Sequence, residues 1–165
     1  NMYIPFNEIS DHARVWVYQA NRPLSEPELD GVHSYLAREM EAWAAHGEAL
    51  QGSFDVRFGQ VFVVAVDEQV NQASGCSIDA STRWFKELGA ALGIDFFDRS
   101  SAVVQGESLL LIPFVRTKQA VSDGILKADS LVIPLQTADV ATYRTGWFVP
   151  AASTWLAKYF QPQNA

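Results

Sequence analysis

"SFDVRFGQVFVVAVDE", residues 53–68, is the stretch on which the fold turns. Phe54, Val56 and Phe58 alternate with Asp55 and Arg57, the period of a half-buried strand. Gly59-Gln60 follows, and glycine in first place suits a two-residue type II′ turn. Residues 61–66, VFVVAV, are apolar on both faces. A strand buried on both faces belongs inside a sheet. The stretch predicts a hairpin whose second arm is a central strand.

Reading outward, "ARVWVYQA" (13–20) predicts another strand, with Val15 and Val17 on one face and Trp16 and Tyr18 on the other. Between the two, Ser25 and Glu28 stand at the spacing of a capping box. Leu29, Val32, Leu36, Met40 and Trp43 then repeat at helical spacing, and Gly47 suits the end of that helix. Downstream, Ala80, Trp84, Leu88, Ala91 and Leu92 form a second amphipathic helix closed by Gly93. "SAVVQGESLLLIPF" (101–114) predicts a hairpin turning at Gln105-Gly106, "TKQAVSDGIL" (117–126) a short helix and "SLVIPL" (130–135) a strand. Pro150 suits the first turn of a last helix, with Ala152, Trp155, Leu156, Tyr159 and Phe160 on one stripe.

The order strand, helix, strand, strand, helix, strand is that of the split βαβ, ferredoxin-like folds. The expectation is one α+β domain over residues 1–165, with a core at about 12–115 and a C-terminal strand and helix extension at about 116–162. The sheet is expected to be antiparallel with its helices on one face. Its first and third strands are expected as central neighbours running parallel, so that their carboxyl ends share an edge. The other face needs a cover, from the C-terminal segment or a second subunit.

The 165 residues carry a net charge of −7 and a single cysteine. One cysteine rules out an intramolecular disulfide and a zinc site built on several thiolates. Twelve basic residues are scattered without a run, which disfavours nucleic acid and anionic membrane surfaces as partners. No stretch approaches the length of a membrane span, and "NMYIPFNEIS" lacks the regions of a signal peptide. These features set the expectation of a cytoplasmic protein.

If the two strand ends share an edge, they bring together "QANR" (19–22) and "DEQVNQASGCSIDAS" (67–81), both polar. The candidate ligand-binding set is Gln19, Asn21, Arg22, Asn71, Gly75, Cys76, Ser77 and Asp79. Gly75, Cys76 and Ser77 fall at the expected start of the second helix, where unpaired N–H groups and the helix dipole favour an anion or a thiolate. Arg22 and Arg83 would support either, whereas Asp67, Glu68 and Asp79 oppose a thiolate. Structurally, Ser77 or Asp79 is an N-cap and Cys76 a buried filler.

Motif searches exclude several chemistries. Cys76 and Arg83 are one position too far apart for a phosphatase loop. There is no Walker A loop, Gly-x-Gly-x-x-Gly, His-Glu-x-x-His or Gly-x-Ser-x-Gly. His33 sits beside the first helix's apolar stripe, His46 lies thirteen residues further on, and His12 precedes the first strand, so no Cys/His pair emerges. Asp95, Asp98 and Arg99 suit a solvated turn. Tyr143, Trp147, Phe148, Trp155, Tyr159 and Phe160 close the core or form an interface.

"VWVYQANR", "FDVRFGQVFVVAVDE" and "SGCSIDASTRWFKELG" together resemble a family of small uncharacterised bacterial proteins, over nearly the whole chain. Some members are labelled "ABC transporter ATPase". This chain has neither a phosphate-binding lysine loop nor an "LSGGQ"-like signature, so the resemblance brings no catalytic residue with it. The expected function is a non-catalytic binding or interaction domain without a cofactor or metal, forming a homodimer and taking a small anionic ligand. The alternative is a thiol-dependent enzyme or redox sensor with Cys76 as nucleophile.

Overall fold

The structure is a computed structural model that describes residues 3–45, 48–67 and 75–162. It is a mixed α+β architecture with antiparallel sheets. The chain divides into two compact units. Unit 1 comprises residues 1–98 and 135–145, and unit 2 comprises 99–134 and 146–165.

Unit 1 is built on a three-stranded sheet of β1 (Arg14–Gln19), β4 (Gln51–Arg57) and β5 (Val61–Asp67). The short β2 (Ala44–Ala45) and β3 (Glu48–Ala49) form a separate two-stranded pair. The sheet order is β1-β5-β4, with β5 in the middle and buried along its whole length. The apolar run at 61–66 therefore marks the central strand. The hairpin turn is longer than expected. Arg57 pairs with Val61, leaving Phe58, Gly59 and Gln60 in the connection. Both Phe58 (φ 59°) and Gly59 (φ 60°) are left-handed, and the Gln60 N–H donates to the Arg57 carbonyl. Phenylalanine rarely accepts that conformation.

β1 and β5 are neighbours, but they pair antiparallel, Gln19 with Val61 and Arg14 with Val66. This corrects the expected parallel pair. The chain leaves β1, crosses through a helix (Glu26–Glu41) and re-enters the sheet in β4 running the same way as β1, and β5 lies between the two, antiparallel to both. The carboxyl ends of β1 and β5 consequently lie at opposite ends of the sheet. The strand expected at 101–105 does not join this sheet either. The β1 edge instead receives Val15 N–H bonding to Ala138 O, Val140 N–H bonding to Ala13 O, and a bridge from Gln19 to Phe97.

Helices α1 (Glu26–Glu41) and α2 (Gly75–Leu92) supply the core that covers one sheet face. The Ser25–Glu28 capping box forms as expected: Glu28 N–H donates to Ser25 Oγ, and Ser25 N–H to Glu28 Oε1. A cap of this kind contributes about 1 kcal/mol. Val32, Leu36 and Met40 turn inward against Trp84, Phe85 and Leu88 of α2 and Tyr18, Phe54, Phe62 and Val64 of the sheet. Trp43 and Trp84 meet edge to face, and Tyr18 stacks on Phe85 at 4.0 Å. Gly52 is required here, since a Cβ would lie 2.8 Å from the Trp43 ring. α1 ends at Glu41; Gly47, expected to cap it, lies outside the described residues. α2 ends at Gly93 (φ 67°), as expected. On the opposite sheet face, Tyr143 of α4 (Val140–Arg144) donates to Asp55 Oδ2 at 2.6 Å, and the Arg57 guanidinium lies 5.9 Å from its ring.

Unit 2 holds a second sheet, ordered β7-β6-β8-β9, from β6 (Ser101–Gln105), β7 (Ser108–Ile112), β8 (Leu131–Val132) and β9 (Val149–Pro150). The β6–β7 turn is one residue later than expected, at Gly106-Glu107, with Gly106 left-handed. The short helix is α3 (Thr117–Ser122). Val103, Ile112, Ala120, Leu126, Val132, Ala151 and Leu156 form the core. The C-terminal segment departs from expectation: Pro150 belongs to β9, and Ala151–Ser153 and Trp155–Phe160 are 3₁₀ turns. At three residues per turn, Trp155 and Lys158 share one face and Leu156 and Tyr159 the next. The expected single stripe is split.

Candidate functional site

The antiparallel pairing separates the sequence-derived site into two halves. Gln19 closes β1, paired with Val61, and Asn21 and Arg22 follow it. The other half follows Asp67, at the far end of β5. Asn71 lies outside the described residues, and nothing is described of the Cys76 and Ser77 side chains. Gly75, Cys76 and Ser77 form the first turn of α2 and Asp79 the next, so neither Ser77 nor Asp79 is the N-cap. The 18 residues of α2 run for about 27 Å, and the loop after its C-terminus is what meets Asn21.

The Gln19–Arg22 end is held by its own scaffold. Gln19 is buried, and its Nε2 donates to Asp98 O at 3.3 Å. Asn21 N–H donates to Asp95 O, and Asn21 Oδ1 accepts from Asp95 N–H. The hairpin turn docks on this segment as Gln60 Nε2 donates to Ala20 O at 2.9 Å. Arg22 grips Glu28 with two nitrogens, at 3.0 and 2.9 Å. The bidentate guanidinium, with the Ser25 N–H, pulls the Glu28 carboxyl down to about 2. Arg22 thus completes the α1 cap, and an incoming anion would have to displace a carboxylate already in place.

Beside Asn21 lies a shallow cleft of about 510 Å³ edged by Lys86, Gly89, Gly93, Asp95 and Phe97. Its carboxylate is committed, since Asp95 Oδ1 accepts from Phe97 N–H at 2.8 Å. His33 is exposed and packs edge-on to Phe54, and His46 lies outside the described residues. Among the described residues no group of three or more His, Cys, Asp or Glu could hold a metal ion, and no helix is long and apolar enough to cross a membrane.

Unit 2 presents a surface of a different kind. Phe114 and Val115, in a 3₁₀ turn (Phe114–Arg116) leading into α3, are 68% and 87% exposed. Trp155 is 53% exposed and stacks with Phe114, centroids 5.9 Å apart. Tyr159 meets Trp155 edge to face at 6.0 Å. Lys158 Nζ lies 5.9 Å from the Trp155 ring and 5.4 Å from that of Tyr159. Arg116 and Lys118 are exposed beside Val115. Large exposed apolar groups rimmed by charge are the composition in which interaction surfaces are enriched. Sequence reading picked out Trp155 and Tyr159 but missed Phe114 and Val115. The available signal was "PFVR", two large apolar residues between a proline and a cation.

The chain matches no protein-family model, no curated protein and no solved structure.

Proposed function

We propose that this chain is a non-catalytic interaction domain that binds a protein partner through the Phe114–Val115–Trp155 surface of unit 2. The observation that carries this reading is the exposed, stacked Phe114–Trp155 pair. Solvated aromatics of this size are unfavourable in isolation, and covering them returns roughly 25 cal/mol per Å². Interfaces concentrate their energy in such aromatic anchors. The commitment of Arg22 to Glu28 favours this reading over capture of a small anion at the Gln19–Arg22 end. The test is selection of a random peptide library on the wild type and on a Phe114→Ala, Trp155→Ala double variant, with circular dichroism showing that both are folded. A common sequence enriched by the wild type alone supports the surface. Equal enrichment by both, or none by the wild type, refutes it.

A further inference from the structure

The proposed docking surface has a sign as well as a shape. Unit 2 contains five Lys or Arg residues (Arg99, Arg116, Lys118, Lys127, Lys158) against three carboxylates (Glu107, Asp123, Asp129), a net charge of +2. Unit 1 contains seven against sixteen, a net charge of −9. An acidic chain thus keeps its aromatic surface on its basic unit. Of the five cations, Lys158 lies against the Trp155 ring, and Arg116 and Lys118 are exposed just after Phe114 and Val115 in the chain. Of the carboxylates, Asp123 accepts from Gln119 Nε2 at 2.7 Å, at the opposite end of α3 from Phe114.

Resting on the interaction reading above, we infer that the occupant is an acidic protein segment in which Asp or Glu residues flank an aromatic or large aliphatic side chain. The apolar side chain would pack on Phe114 and Trp155, and the carboxylates would meet Lys158, Arg116 and Lys118. Charge complementarity of this kind selects partners and speeds their encounter. A second copy of the chain fits poorly. Two-fold pairing of this face would set the three cations against their own counterparts. A nucleic acid fits poorly too, because three cations neutralise few phosphates.

Fluorescence anisotropy on the full chain tests the inference. The probes are a fluorescein-labelled peptide alternating Asp/Glu with Leu/Trp, the same peptide with Asn/Gln for Asp/Glu, and an oligothymidylate. The acidic peptide is expected to bind at least about tenfold more tightly than the neutral one, and to weaken severalfold between low and moderate salt. Lys158→Glu with Lys118→Glu should weaken it by about tenfold, and Trp155→Ala by more. If the neutral peptide binds equally and charge reversal has no effect, while Trp155→Ala abolishes binding, the acidic class is overturned and the surface stands. If neither peptide binds, or if Trp155→Ala leaves binding intact, both readings fall. Tighter binding of the oligothymidylate, or a dimer in sedimentation equilibrium that Trp155→Ala dissolves, replaces the acidic segment with that occupant.

Discussion

Replacing Tyr143 by Phe removes one oxygen and almost no volume, so it isolates the contact that ties α4 to β4. The lost bond, Tyr143 Oη to Asp55 Oδ2, is 2.6 Å long and accepted by a carboxylate. Hydrogen bonds to charged groups contribute about 1.5–3 kcal/mol. Asp55 is only partly buried and water can replace the phenol, so the lower end, about 1.5 kcal/mol, applies. For a chain of this length that lowers the thermal midpoint by about 3–6 °C. The pH dependence adds an independent check. Burial, reinforced by the bond to Asp55, outweighs the opposing hydrogen bond and charge of Arg57 and raises the Tyr143 pKa above its ordinary 10.0. Above pH 10 the unfolded phenol ionises while the native one keeps its proton. The native state then holds more protons, and stability falls as pH rises. The Tyr143→Phe variant carries no such proton, so the gap between it and the wild type narrows in alkali. The limit is about 1.4 kcal/mol at pH 11, and about half that after allowing for solvent screening. Tyr3 and Tyr35 titrate in both proteins and cancel. Urea titrations at about pH 7 and pH 11 give both numbers. Equal stability at the lower pH, or a gap that stays constant into alkali, refutes the reasoning.

Other outcomes follow from single observations. Gly89→Ala would place a Cβ 2.5 Å from the Ile94 carbonyl oxygen, next to the bond from Ile94 N–H to Gly89 O; denaturant titration should show a loss of about 2–3 kcal/mol. Leu36→Ala empties a fully buried site beside Trp84 and Phe85 and should cost about 2–5 kcal/mol by the same assay. Phe58→Asn keeps the left-handed turn with a residue that tolerates it and should raise stability by about 0.5–1 kcal/mol. Glu28, lowered to about 2 by Arg22 and Ser25, contributes stability that is complete above its unfolded value of 4.5 and lost as pH falls toward 2; the acid limb of unfolding should be shallower in Glu28→Gln.

The fold was legible wherever a local pattern had one physical solution. The run at 61–66 has apolar residues on both faces, so it had to be a central strand, and β5 is one. Ser25 and Glu28 could satisfy each other's backbone only at the start of a helix, and α1 begins there. The expected type II′ turn failed because Phe58, read as the last strand residue, takes a left-handed conformation that nothing in its own chemistry favours. The C-terminal stripe was read at 3.6 residues per turn, but its two 3₁₀ turns repeat at three. Trp155 therefore faces solvent while Leu156 goes to the core.

By itself, the amino-acid sequence determined the α+β composition, the order of most elements, the helix cap, the central strand and the absence of a recognisable catalytic motif. These depend on neighbours a few residues apart. Tertiary structure alone decided strand direction, sheet membership and which polar groups were already engaged. The antiparallel β1–β5 pair put the strand end before Arg22 and the strand end leading toward Cys76 at opposite ends of a sheet, and β6 joined a second sheet with β7 and β8. Arg22, which reads as an anion ligand beside a polar loop, is committed to Glu28 by geometry. Phe114 and Trp155, 41 positions apart in sequence, become one surface only because the turn before α3 and the last 3₁₀ segment pack side by side.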